Sequence, residues 1–209
     1  TGGQALASSL VRNGATDVFF IPGIQLDWAA DALRVQADSI RLFVPRHEQS
    51  TTYMADGYYR ASGAPGISMV VPGPGVLNAG AGLATAYGSN SKVLLLAAQI
   101  HSTAIGGGYG QLHEIRDQTG LIAGLTKWST LVKARHEISG AIDSAFAAMH
   151  DGRPRPAGVE IPYDLLIAKN EEPEHARPAD RARPLETGAA DIARAAALIN
   201  NARFPVLYV

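Results

Sequence analysis

Apolar residues along this chain follow two spacings: short unbroken runs, and longer stretches that recur every three or four positions. Leu6, Leu10 and Val11 fall on one side of a helix over 4–13, which Gly14 is placed to end as a C-cap. A run over 17–21 (DVFFI) reads as a strand, after which Pro22-Gly23 turns the chain. Helical spacing returns over 26–35, followed by a second buried strand over 40–44 and a third helix over 47–61, closed by Gly63. Strand 67–71 leads into the turn Pro72-Gly73-Pro74-Gly75 and a helix of small residues through Tyr87. KVLLLAA over 92–98 is the strongest strand, with helix 115–123, strand 129–132, helix 137–149 and strand 158–161 after it. Apolar runs of four to seven residues separated by helices indicate strands covered on both faces. The fold class is therefore α/β: a three-layer α/β/α domain over 1–167 with a mainly parallel sheet.

The pattern breaks after that point. Residues 169–186 (KNEEPEHARPADRARPLE) hold three prolines and many charges, so 168–186 reads as a linker. Beyond it, Ile192, Ala195, Ala196 and Ile199 share one side of a helix over 187–201, and 204–209 reads as a strand. These two elements are expected to be the truncated start of a second α/β domain over 187–209.

Composition narrows the function classes. Eighteen basic residues against nineteen acidic ones leave a net charge of -1 and no basic stripe, so no nucleic-acid partner is expected. Without cysteine there is neither a disulfide framework nor a thiolate zinc site, which is compatible with the cytoplasm. The start, TGGQALASSLVRNG, carries no basic segment followed by an apolar run, so no signal peptide is expected. The stretch 67–87 comes closest to a membrane span, but Pro72, Pro74, Asn78 and several glycines make it a strand, turn and helix. No membrane partner is expected.

Two segments stand out for their chemistry. Glu48, in Val44-Pro45-Arg46-His47-Glu48, lies where a strand hands over to a helix, at the sheet edge where open α/β folds bind ligands. From the local pattern alone it also reads as an acid that stabilises its helix N-terminus. Val71-Pro72-Gly73-Pro74-Gly75-x-x-Asn78 likewise follows a strand and opens a helix. It is half of a dinucleotide fingerprint, but Asn78 replaces the third glycine and no acid stands about 20 residues on.

In order, the chain carries Gly14-x-x-x-Val18-Phe19-x-x-Pro22-Gly23, Arg46-His47-Glu48-Gln49 and Met54-Ala55-Asp56-Gly57-Tyr58-x-Arg60. Gly73-Pro74-Gly75-x-x-Asn78 and Gly82-Leu83-Ala84-x-Ala86-Tyr87 complete the series. This set closely resembles the N-terminal pyrimidine-binding domain of acetolactate synthase-like thiamine-diphosphate enzymes, from about residue 2 to 166. The resemblance implies thiamine diphosphate as cofactor, with Glu48 hydrogen-bonded to N1′ of its aminopyrimidine and activating it from an apolar, dehydrated pocket. Pro22, Gly23, Gly73 and Asn78 are implied to border the cofactor, and Ile24 and Gln25 the substrate, a 2-keto acid. For Ile24 and Gln25 a simple strand-to-helix turn stays open, and for Gly73 and Asn78 close packing does. Arg46 and His47 serve either a dimer interface or a solvated helix start. Lys127-Trp128 resembles a family element with a structural role.

Mg²⁺ and the cofactor's diphosphate are implied to sit on a C-terminal domain, since the family's Gly-Asp-Gly motif does not occur here. No metal ligand is assigned to this chain, and whether FAD binds the central domain stays open. A homodimer or homotetramer is implied, with the fragment inactive alone. Where acetolactate synthases read Phe-Gln-Glu, this chain has Leu112-His113-Glu114. His113 is therefore a candidate proton relay, with an exposed loop histidine as the alternative. Acetolactate synthase-like carboligation leads, and a 2-keto-acid decarboxylase or lyase is second. A nicotinamide-binding dehydrogenase domain or a non-catalytic scaffold are readings of other classes.

Overall fold

The computed structural model describes residues 1–169, 187–206 and 208. Six strands form one sheet: β1 (Asp17–Phe20), β2 (Arg41–Phe43), β3 (Gly66–Val70), β4 (Val93–Gln99), β5 (Trp128–Leu131) and β6 (Ala157–Pro162). Their order is β2-β1-β3-β4-β6-β5, and every pairing is parallel. The covering helices are α1 (Gly2–Arg12), α2 (Asp27–Val35), α3 (Glu48–Ser62), α4 (Pro74–Gly88), α5 (Gln118–Leu125), α6 (Ile138–His150) and α7 (Tyr163–Ile167). Helix α8 (Ala189–Asn201) follows.

Two cores flank the sheet, and β4 feeds both. Leu94, Leu96 and Ala98 join Leu6, Leu33 and Ile142 on one face, while Val93, Leu95 and Ala97 join Ala55, Leu83 and Ile122 on the other. Because side chains alternate along a strand, an unbroken apolar run is what a strand covered on both sides requires. The connections explain which helix goes where. From β1 the chain steps to β2 in one direction, and from β2 and β3 it steps in the other. Right-handed crossovers then place α2 on one face and α3 and α4 on the opposite one. This is the expected three-layer α/β/α fold.

Three expectations change. The strand over 40–44 was expected to be buried; it shortens to Arg41–Phe43 and is largely exposed, because β2 is the sheet edge and pairs only with β1. The helix expected over 115–123 begins at Gln118, where the Asp117 carboxylate caps it by accepting from the Gly120 amide at 2.7 Å. Of the strand expected over 204–209, the described residues are not in a strand, and Phe204 and Val206 are exposed. The linker 168–186 falls, from 170 on, outside the described residues. Gly14, at φ +79, follows the C-cap Asn13 and takes the left-handed conformation there.

The close approach of α3 and α4 sets the spacing of the helix starts at the sheet edge. Thr52 Oγ1 on α3 donates to the Ala79 carbonyl of α4 at 2.8 Å in a buried contact. Gly82 makes room for it, since a Cβ there would strike Thr52 Oγ1 and the Tyr53 amide. We expect Gly82→Val to force the helices apart and cost about 1–3 kcal/mol. Chemical denaturation measures this, and an unchanged midpoint would show that the contact is looser than the geometry implies.

Candidate functional site

Loops leaving β1 and β3 depart toward opposite sides of the sheet, which opens a crevice at its carboxyl edge. Loops at that edge include 21–23 after β1, 44–47 after β2, 71–73 after β3 and the long connection 100–117 after β4.

Glu48 is the first residue of α3. Before it, His47 is the N-cap, its Nδ1 accepting from the Gln49 amide at 3.2 Å. Thr51 Oγ1 donates to the Glu48 carbonyl at 2.6 Å and shares a 2.7 Å hydrogen bond with Ser68, which fastens this first turn to β3. On the facing helix start, Asn78 Nδ2 donates to Glu48 Oε2 at 2.9 Å. The other carboxylate oxygen has no partner among the described residues. An apolar, dehydrated pocket was expected around Glu48; within this chain it is only half-buried. Helices α3 and α4 turn their buried faces to the sheet and to each other, leaving Tyr53, Met54 and Leu77 exposed on their outer sides.

Gly73 is buried and holds φ +55, in the left-handed region that disfavours a side chain. A Cβ there would also collide with the His113 carbonyl oxygen. The Gly73 amide donates to Gln118 Oε1 at 2.7 Å. Gln118 Nε2 in turn reaches the Ala98 carbonyl and Glu160 Oε2, both at 3.0 Å. Gln99 Nε2 also donates to Glu160 Oε2, at 3.2 Å. Glu160 is 0% exposed, and its Oε1 lacks a hydrogen-bond partner of normal geometry. Burial pushes this carboxyl above the usual range, against the opposing pull of Thr119, Gln118 and Gln99.

His113 lies at φ +70, rare for a residue with a side chain, and is half-buried. Its Nδ1 meets Gln25 Oε1 at 3.2 Å, while Gln25 Nε2 donates to the Leu112 carbonyl at 3.3 Å. Gln25 and Ile24, in one turn of 3-10 helix over Ile24–Leu26, line a cavity of about 330 Å³ with Ile100, Gln111, Leu112 and Tyr163. Glu114 accepts from the Gln111 and Gly108 amides, both at 2.9 Å, and these backbone donors, Gln111 first, hold its carboxyl below the usual range. Pro22 is exposed, and Gly23 lies against Val71, where a Cβ would collide with the valine side chain.

The structure thus joins Glu48 to Asn78, and Gly73 to His113 and Gln25, along one sheet edge. No hydrogen bond or ion pair joins Glu48 directly to His113 among the described residues. Gln118 and Glu160 escaped the sequence reading, although a lone acid inside the apolar strand GVEIP was a usable signal. Among the described residues, no group of three His, Cys, Asp or Glu side chains could hold a metal ion, and no helix is long and apolar enough to cross a membrane.

Residues 1–121 match the family of the thiamine pyrophosphate enzyme, N-terminal TPP binding domain. A probable 2-ketoarginine decarboxylase of Pseudomonas aeruginosa is 38% identical over 169 residues, covering 80% of this chain and 30% of the relative. The mitochondrial acetolactate synthase catalytic subunit of Saccharomyces cerevisiae is 34% identical over 218 residues, covering 100% of this chain and 31% of the relative. The acetolactate synthase isozyme 3 large subunit of Escherichia coli is 35% identical over 173 residues, covering 83% and 29%. The match therefore spans about a third of the length of these relatives.

Glu160 gives a prediction with a definite sign. A buried acid with a raised folded pKa holds its proton where the unfolded chain has released it, so it makes stability fall as pH rises from the ordinary carboxylate range to the raised value. Glu160→Gln keeps an acceptor for Gln118 and removes that loss. The variant should gain on the parent as pH rises above the ordinary carboxylate range of about 4, with the difference fading toward acid. Denaturation midpoints measured over that rise in pH test it; a pH-independent difference would mean that Glu160 does not titrate in this way.

Proposed function

The chain belongs to the thiamine pyrophosphate enzymes, and from that membership we propose that it is the pyrimidine-binding part of an enzyme that makes or breaks a C–C bond beside the carbonyl of a 2-keto acid. The observation that carries the reading is the Glu48 carboxylate at the sheet edge, oriented by Asn78 and with one oxygen unengaged. Such a group fits a ring nitrogen that shares a proton. Close packing at Gly73, where the His113 carbonyl takes the place of a side chain, holds the turn beside this edge in shape. Thiamine diphosphate, when bound, would supply the acidic ring carbon for chemistry at a keto-acid carbonyl. On this reading Glu48 holds the proton at N1′, Asn78 fixes the carboxylate's direction, and Pro22, Gly23 and Gly73 border the ring. Ile24 and Gln25 face the substrate from the cavity they line.

Residues 1–167 form the pyrimidine-binding domain in this proposal, and 187–209 begin a central domain. Mg²⁺ and the diphosphate bind on a further domain, where carboxylate and phosphate oxygens together suit that ion. A second subunit is placed over the outer faces of α3 and α4, where Tyr53, Met54 and Leu77 are exposed. That contact would exclude water from Glu48, giving a homodimer or homotetramer, acting in the cytoplasm. Carboligation of the acetolactate synthase type leads. Decarboxylation is the second reading, supported by the histidine in Leu112-His113-Glu114 and by the likeness to the 2-ketoarginine decarboxylase.

Glu48→Gln in the intact enzyme keeps the shape of the side chain and removes the shared proton. Exchange of the cofactor's acidic ring proton, followed by NMR, should slow by about 100-fold or more. Undiminished exchange would take Glu48 out of the mechanism.

A further inference from the structure

We propose that Gln25 is a positioning residue that fixes His113 in the tautomer with its proton on Nδ1, leaving Nε2 to exchange protons with the substrate. This role deepens the proposed function and rests on it for the substrate alone. The tautomer follows from the hydrogen bonds of this chain.

An amide side chain has a donor end and an acceptor end, and a histidine ring accommodates either. The Leu112 carbonyl, however, can only accept. It therefore takes the Gln25 NH₂ group, at 3.3 Å. That choice turns Gln25 Oε1 toward His113 Nδ1, at 3.2 Å. A carbonyl oxygen cannot donate, so Nδ1 must carry the hydrogen. Rotating the amide by half a turn would set two acceptors against each other at Leu112. Gln25 is only 6% exposed, so water has little room to relieve that conflict. In the neutral ring, Nε2 is then the nitrogen with the lone pair.

The ring and its partner are both held. His113 sits in the left-handed region at φ +70, with its carbonyl packed against Gly73, so its backbone has little freedom to carry the ring elsewhere. Gln25 grips two consecutive residues of one loop, the Leu112 backbone and the His113 side chain, from a turn 88 positions earlier in the chain. The neighbouring Glu114 carboxylate does not compete, because it is engaged with the Gln111 and Gly108 amides. Gln25 and Leu112 line the 330 Å³ cavity, and His113, hydrogen-bonded to the first and next to the second in the chain, adjoins that lining without forming part of it. A carbonyl oxygen gains a proton when it becomes a hydroxyl and returns it when a carbonyl forms again. The Nε2 lone pair of the neutral ring accepts the proton released when a hydroxyl returns to a carbonyl, and the imidazolium so formed gives that proton up when a carbonyl next becomes a hydroxyl.

The test is solid-state NMR of the intact enzyme labelled with ¹⁵N-histidine, with His113 assigned by its loss in His113→Asn. In the neutral ring, Nδ1 should give a pyrrole-type signal and Nε2 a pyridine-type signal. Gln25→Met should let the proton redistribute to Nε2 and lower kcat for 2-keto acids by roughly 10- to 100-fold; because Gln25 also lines the cavity, the histidine signals rather than KM carry the test. A pyridine-type Nδ1 in the parent enzyme, or signals unmoved by Gln25→Met, would overturn the tautomer assignment. Wild-type turnover by His113→Asn would overturn the proton-transfer role. Both outcomes are separable from the role of Glu48, because the histidine signals do not depend on cofactor activation and ring-proton exchange does not depend on Gln25.

Discussion

One hydrogen bond governs the layout of this sheet edge: the Gly73 amide donating to Gln118 Oε1 at 2.7 Å. Gly73 is the last residue before α4, and Gln118 is the first of α5, so the contact ties two helix starts together. Gln118 is itself anchored to the sheet through the Ala98 carbonyl and Glu160. With the Gly73 turn fixed, α4 presents Asn78 to Glu48 on one side, and the His113 carbonyl rests on Gly73 on the other. Loss of this tie would disturb both groups of residues, although the Gln118 amide is spent on Gly73, Ala98 and Glu160 and reaches them only through the Gly73 turn.

Three carboxyl groups along this edge show how surroundings assign roles to one chemistry. Glu160 is fully buried and pushed toward its neutral form, which suits an anchor and removes it from contact with any ligand. Glu114 is saturated by backbone amides and held charged, which closes the glycine-rich loop upon itself. Glu48 is half-buried, with one oxygen held by Asn78 and the other unengaged. Of the three, Glu48 alone combines access with a fixed direction, which is what proton sharing with a bound ring needs.

Much of the fold could be read from periodicity, because the governing interactions are local or repeat along an element. KVLLLAA announces a strand buried on both sides, and β4 is that strand. The exposed edge strand β2 was misjudged because apolar residues at 40–44 look the same whether or not a second neighbour covers them. The late start of α5 turned on a single cap, Asp117, within a stretch whose apolar spacing continues upstream. For the candidate site, the sequence placed its residues at strand ends and helix starts, and their partnerships were not legible. Glu48 and Asn78 are 30 residues apart, and Gln25 and His113 are 88 apart. No spacing rule connects residues that meet only when loops converge on one sheet edge.

The division of labour between the sheet and its surroundings explains why the site is open. Strand ends deliver Glu48, Gly73 and Gln25 to one edge, and close packing of α3 on α4 through Thr52 and Gly82 sets their spacing. The rims of that edge stay bare: Leu77, beside Asn78, is 55% exposed, and Ile24 on the cavity rim is 68% exposed. Large apolar groups flanking oriented polar ones are the composition of a surface meant to be covered, since isolated exposed apolar residues need no such arrangement. On the proposed function, the chain supplies fixed directions for protons, through Asn78 at Glu48 and Gln25 at His113, while exclusion of water falls to a second subunit closing over these rims. Orientation is thus built into the fold, and dehydration is what the proposed assembly would add.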